Sequence, residues 1–402
     1  MIARFERRRG ACGARALPAP CLITAGRAAL APRSPTGEDG RTRRGCAHTA
    51  AAMLATLLAC APVSPAHAEA PRSERRTVGA AQVDERVDQA IERGLVFLAA
   101  GQTPEGSFDS YAGRTYTAIP GLCGLAFLAK GYLPGHGKYG ENIERASTFI
   151  LSRAAADGYL GGNEGRMYSH SIATLFLAEV SGMVNTNLQA KIDDVLPKAV
   201  QVIISAQRVP KIERYAGGWR YGPASIDSDM SCTGWALMAL RSARLTGAAV
   251  PASAIKDAVQ YVLRHHSEQK GSFGYMDTSS HGVTLTGAGL LCLELCGQHG
   301  HPATRRATRY LMNVYEQLPQ QGYCFYGLYY TAQGLFQVGG EEWQRFSKWM
   351  YDYWIPRQAP DGRWNRGEVN CPYYQTAMVV LAFAVPYRQL PIYQRDETVD
   401  GE

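Results

Sequence analysis

A single short signature recurs six times along this chain and constrains the fold more than any other feature. A glycine followed two positions later by an aromatic or apolar residue appears as Gly106-Ser107-Phe108, Gly158-Tyr159-Leu160, Gly217-Gly218-Trp219, Gly271-Ser272-Phe273, Gly322-Tyr323-Cys324 and Gly362-Arg363-Trp364. The spacings between successive glycines are 52, 59, 54, 51 and 40 residues. A period of this length marks one supersecondary unit per repeat, each too small to bury its apolar face without its neighbours.

Each turn follows a segment with helical spacing of small and aromatic residues, such as Ala90 with Phe97, Ala146 with Phe149 and Ala258 with Tyr261. Charges lie at surface spacing in these first segments, as in Arg86, Asp88, Glu92 and Arg93. The segments after the turns, Ile119 to Ala129, Ile172 to Val180, Trp235 to Leu240, Gly287 to Leu295 and Ala377 to Val385, are apolar nearly all round, as in a helix buried on every side. Five of the six segments that follow the turns carry a Thr with a small neighbour: Thr117-Ala118, Thr233-Gly234, Thr286-Gly287, Thr331-Ala332 and Thr376-Ala377. A Thr there is expected to cap orphan backbone N–H groups, while the small residue lets helices approach closely. The second repeat offers Ser171-Ile172-Ala173 instead. Six hairpins with a polar outer helix and an apolar inner one predict an all-α fold, an α/α toroid. An open solenoid is the alternative, but it exposes two ends that need caps.

The hairpins occupy residues 84–395, after a leader at 1–68 and a short linker at 69–83; 396–402 form a tail. The leader holds ten Arg, no Lys and three acids, so the whole formal charge of +7 lies within it and the other 334 residues are neutral. A basic nucleic-acid footprint is thereby excluded. Arg41, Arg43 and Arg44 precede an apolar run, Ala47 to Ala61, and Ala66-His67-Ala68 has the form of a signal-peptidase site, so export to the periplasm or exterior is expected. Leu57-Leu58-Ala59-Cys60 also reads as a lipidation site, and the run is too short to span a bilayer. Six cysteines follow the leader, sparse for a disulfide scaffold and expected as buried thiols.

The turns resemble the QW repeats of squalene-hopene and oxidosqualene cyclases. Gly217-Gly218-Trp219 with Thr233-Gly234-Trp235-Ala236-Leu237-Met238-Ala239-Leu240 is similar to their G-G-W…T-A-W-A-L-M-A-L repeat. The segment from Tyr373-Tyr374-Gln375-Thr376 to Pro391-Ile392-Tyr393 resembles the end of secreted bacterial prenyltransferase and squalene-oxidase-repeat proteins. The resemblance implies the toroid of the terpenoid cyclase and protein prenyltransferase superfamily, with a small hydrophobic ligand, an isoprenoid or similar lipid, in a central cavity. The cyclases' D-x-D-D-T-A motif falls on Asp229-Met230-Ser231-Cys232-Thr233-Gly234, which keeps only the first aspartate. Ser231 stands where the proton donor belongs, and a hydroxyl is far too weak an acid to protonate an alkene. The zinc of the protein prenyltransferases would need Asp229, Cys232 and His281 to converge, a spacing that matches no recognised metal pattern.

Asp229 and His281 are therefore the candidate acid-base groups. Tyr326, Tyr329, Tyr330, Tyr373 and Tyr374, together with Trp235, Tyr168 and His170, are the candidate cavity lining. Trp219 and Trp364 are expected to pack between repeats. The turn acids Asp109, Glu164, Asp227, Asp229, Asp277 and Glu368 would share one rim of a closed ring, which opens two further readings. One is a glycoside hydrolase or lyase using a carboxylate pair; the other is a non-catalytic envelope scaffold. Neither a phosphate-binding loop nor a dinucleotide fingerprint is present, so no cofactor and no metal are expected. The oligomeric state is open.

Overall fold

The computed structural model describes residues 84–109, 115–366 and 371–393, all within one unit, 80–402; of Asn163, Glu164 and Gly165 it describes only the backbone. The leader, the cleavage site, Cys60 and Glu368 lie outside the described residues. Twelve α-helices and several short 3₁₀ segments, with no strands, make up the described residues. The outer helices are Glu85–Ala100 (α1), Gly140–Ser152 (α3), Thr186–Arg208 (α5), Ala252–Arg264 (α7), Pro302–Val314 (α9) and Gly340–Trp354 (α11). Alternating with them are the inner helices Ala118–Ala129 (α2), Gly162–Val180 (α4), Met230–Leu245 (α6), Gly282–Leu295 (α8), Cys324–Val338 (α10) and Pro372–Ala384 (α12).

Composition sorts the two sets. All twelve residues of α2 are buried, as is α6 from Met230 to Ala243, because these helices have neighbours on every side. In α7 only one stripe is buried, Ala254, Ile255, Ala258, Val259, Tyr261 and Val262, and the rest of the surface faces water. The inner helices neighbour one another in chain order and α12 packs against α2, so the ring closes. Each outer helix leans on the inner helix before it, and α1 takes that place on α12. The molecule is a closed α/α toroid, not an open solenoid.

The recurrent glycine has a backbone reason. Gly106, Gly158, Gly217, Gly271 and Gly362 all have φ between +75° and +92°. A Cβ at Gly217 would sit 2.2 Å from the Asp257 carbonyl oxygen of α7, and one at Gly362 would sit 2.1 Å from that of Arg93 in α1. Only glycine combines the left-handed conformation with so close an approach.

A glutamine locks three of the turns. Gln207 Nε2 donates to the carbonyls of Gly217 and Ala254, both at 2.8 Å, and so ties its turn to the next outer helix. Gln102 does the same for Gly106 and Asn142. Gln358 does it for Gly362 and Ala90. The indoles of Trp219 and Trp364 are buried in the turns and donate to the carbonyls of Ile203 and Trp354.

The threonines differ from their expected role. Thr233, Thr286 and Thr376 lie inside their helices, and their hydroxyls accept the N–H of Trp219, Phe273 and Trp364. Thr233 in turn donates to the Asp229 carbonyl. They pin the turn to the inner helix, whereas the caps proper are other residues, Asp229 for α6 among them.

Candidate functional site at the ring mouth

Asp229 anchors the end of the ring where the inner helices begin. It is fully buried, and as N-cap of α6 its Oδ1 accepts from the Cys232 N–H at 2.8 Å and from the Ser231 hydroxyl at 2.6 Å. Its other oxygen lies 3.1 Å from Arg220 Nε. The same guanidinium reaches Asp227 at 2.7 Å, so one cation joins two carboxylates. Burial pushes the Asp229 carboxyl above its usual range, opposed by Ser231, Cys232 and Arg220.

Tyr168, from α4, hydrogen-bonds Ser231. Because Ser231 gives its proton to Asp229, its oxygen accepts from Tyr168, and the order of donation runs Tyr168 to Ser231 to Asp229. Burial raises the Tyr168 phenol well above its ordinary value, which keeps it protonated as that donor. Its ring stacks on Tyr221 at 5.9 Å, and the Tyr221 and Tyr275 hydroxyls bond each other. Arg220 lies over both of these rings, 4.7 Å from Tyr221 and 5.7 Å from Tyr275. His281 is exposed at the outer edge, with its ring perpendicular to Tyr275 at 6.0 Å. Tyr168, Tyr221, Tyr275 and Tyr374 are half-buried, which leaves part of each facing solvent at this mouth.

Behind the mouth the ring is filled, and here the structure corrects the expected cavity. Trp235 stacks on Tyr329 at 5.3 Å and meets Tyr330 edge-on; Tyr326 packs on Tyr330 at 4.6 Å. None of these four is more than 2% exposed, so they are packed against one another instead of lining an open chamber. Such rings fill an axis because stacked and edge-on contacts between them are favourable. A cleft of about 230 Å³ lies on the outside instead, between α9 and α11, lined by Arg309, Glu341 and Arg345 among others.

Two further expectations change. His170 is fully buried, its Nδ1 accepts the Leu160 N–H and its Nε2 bonds the Ala199 carbonyl, so both nitrogens hold the second turn. It replaces the threonine of the other repeats. Tyr373 wedges between Phe97 and Phe108 over Gly101, which packs the first turn against α12. Of the rim acids, Asp277 accepts from Ser279 and Ser280 within its own turn, and Asp109 is exposed. Among the described residues no three His, Cys, Asp or Glu side chains group closely enough to hold a metal ion. The six cysteines are buried thiols.

Tyr221 stood out from sequence only as one of many turn aromatics, and Arg220 and Tyr275 were not singled out at all. The signal was there: Trp219-Arg220-Tyr221 and Phe273-Gly274-Tyr275 place a tyrosine two residues after the turn aromatic in adjacent repeats.

No family model matches the chain, and no curated protein matches it. Solved structures do. An inactive variant of an α-1,6-mannanase from Salegentibacter, in complex with α-1,6-mannotriose, aligns at TM-score 0.54 and 10% identity over 75% of this chain and 99% of its own. A variant of the type II terpene cyclase MstE from Scytonema, in complex with its product merosterolic acid A, aligns at 0.52 and 12% over 76% and 98%. A protein from Actinoplanes aligns at 0.53 and 13% over 75% and 99%. The shared fold is the α/α toroid. At these identities the likeness carries the fold alone, and the same ring serves chemistry as different as glycan hydrolysis and terpene cyclisation.

Proposed function

We propose that this toroid is an exported binding protein whose ligand is a neutral, hydroxyl-rich chain, a glycan, held at the mouth by Tyr168, Tyr221 and Tyr275. The observation that carries this reading is the contrast along the ring axis: Trp235, Tyr326, Tyr329 and Tyr330 are sealed, while Tyr168, Tyr221 and Tyr275 are only half-buried. Half-buried tyrosines offer a sugar both a flat apolar face and hydrogen bonding. Arg220 is held between Asp227 and Asp229, so its charge is already engaged and does not offer a site for an anionic ligand. The same pairing leaves neither aspartate as an uncommitted proton donor, which supports binding without bond cleavage. A mannotriose held by a protein of the same fold is consistent with a toroid that takes sugars. Titrating neutral oligosaccharides, beginning with α-1,6-mannotriose, by calorimetry is the test. Binding that Tyr221→Ala abolishes supports the reading, and no heat from any neutral glycan rejects it.

A second reading, an isoprenoid whose polar head enters between Tyr326 and Tyr330 when these rings part, is supported by one observation. The hydroxyls of Tyr326 and Tyr330 are buried with no partner beyond each other, an uncommon state for an interior polar group. Mass spectrometry of an organic extract of the purified protein separates the two readings, because a stoichiometric isoprenoid would place the ligand among these rings.

A further inference from the structure

On the outer wall, the cleft between α9 and α11 carries charges of both signs. It encloses about 230 Å³. α9 lines it with Arg309, Met312 and Asn313, and the first turns of α11 add Glu341, Glu342 and Arg345. None of these four charged side chains makes an ion pair or a hydrogen bond with any described residue.

Elsewhere on the wall such groups find each other. Within single outer helices Glu141 pairs with Arg145, Asp194 with Lys198 and Lys348 with Asp352, each four residues apart. Glu341 and Arg345 have the same spacing in α11 and stay unpaired. Between outer helices, Asn185 at the N-cap of α5 donates to Glu144 of α3 at 2.9 Å, and Arg86 of α1 lies 3.8 Å from Asp352 of α11. At the α9–α11 junction no such bridge forms among the described residues, although both signs line it. Aromatic packing sets the distance there: Tyr315, just past α9, meets Phe346 and Trp349 of α11 edge-on, at 5.6 and 5.0 Å. The two helices are held at that separation, and their charged groups do not meet across the gap.

A ligand for this gap has to satisfy both signs. A simple anion drawn to Arg309 and Arg345 would face Glu341 and Glu342, and a simple cation would meet the reverse, so repulsion offsets the gain in either case. A molecule with a carboxylate and an ammonium gives each group its complement. Guanidinium groups take a carboxylate through paired parallel hydrogen bonds, and glutamates accept from an ammonium. Half-buried Met312 adds an adaptable apolar surface. We infer that the cleft is a binding site for a free α-amino acid with an aliphatic side chain. The carboxylate lies on Arg309 and Arg345, the ammonium on Glu341 and Glu342, and the side chain against Met312. No residue of the ring mouth takes part, so the site is independent of a glycan held there.

Calorimetric titration of the protein with L-leucine tests this. Leucine should bind. N-acetyl-leucine, which keeps only the anion, and leucinamide, which keeps only the cation, should each bind about tenfold more weakly or worse. Arg309→Ala and Glu342→Gln remove groups with no other partner, so each should weaken leucine by about tenfold or more with the thermal midpoint unchanged, and Tyr221→Ala should leave its affinity as it was. A single-charge analogue that binds as tightly as leucine would overturn the inference, because one sign of charge would then suffice. Unaltered affinity in both cleft variants would do so too, as would the absence of heat from leucine, isoleucine, valine and methionine alike.

Discussion

The side chain of Gln358 reaches back 268 residues to the carbonyl of Ala90, at 2.9 Å. This bond repeats, at the join between the last and first outer helices, what Gln207 does for Ala254 in the middle of the chain. The first prediction follows from that equivalence. Gln358→Ala and Gln207→Ala each strand two carbonyls, so each should lower the unfolding free energy by about 1–3 kcal/mol. Urea titration checks both, and a loss below about 0.5 kcal/mol for Gln358→Ala would mean that other contacts at the join suffice.

Gly217 and Gly137 both have positive φ, but only Gly217 faces a backbone oxygen at 2.2 Å, while a Cβ at Gly137 meets nothing within 4 Å. Gly217→Ala is therefore expected to cost roughly 3 kcal/mol or more, from strain and overlap together, and Gly137→Ala roughly 1 kcal/mol from conformation alone. Thermal unfolding of the two variants side by side measures the difference. Equal midpoints would remove the steric argument.

The two buried titratable groups Glu179 and His170 pull in opposite directions with pH. Burial raises Glu179 from 4.5 to about 7, so the folded state holds its proton longer than the unfolded state does. That stabilisation is complete below about 4.5 and is lost as pH rises through 7. Burial lowers His170 from 6.5 to about 4, so its contribution is complete above 6.5 and is lost as pH falls toward 4. Each spans about 3 kcal/mol at most. Measured against Glu179→Gln, the wild-type protein should lose up to about 3 kcal/mol between pH 4.5 and 8. A difference that stays constant across that range would show that Glu179 is ionised throughout.

Asp229 caps α6 and pairs with Arg220, and the two roles separate by substitution. Asp229→Asn keeps an acceptor for Cys232 and should cost about 1–2 kcal/mol. Asp229→Ala also removes the cap and leaves Arg220 with Asp227 alone, and should cost about 3 kcal/mol or more. If denaturant titration finds the two variants equal, the cap contributes nothing measurable.

The ring was legible because its signals are local and repeated. A left-handed glycine occurs in five of the six turns and an aromatic two residues on in four, each before an apolar run, so misreading one leaves the pattern intact. Asp229 drew notice in the sequence as a candidate acid, but its position as N-cap of α6 beside Arg220 came only from the structure. The role of His170 was not legible, because a histidine before an inner helix looks the same in sequence whether it faces the mouth or holds a turn. Only its two bonds, to Leu160 and Ala199, distinguish the cases. Arg220 reads as an ordinary solvated turn residue until Asp227 and Asp229 are seen on either side of it. The filled axis was hidden for a related reason: Trp235 and Tyr329 lie 94 positions apart, and no spacing in the chain announces that their rings stack.

Since α1 leans on α12 as each other outer helix leans on the inner helix before it, the join between the ends of the toroid is one junction among six. A circularly permuted gene, opened in the loop before α7 and joined by a linker between residues 393 and 84, should yield the same ring. Where the polypeptide starts is then a matter of its synthesis, and the wheel of helices has no first spoke.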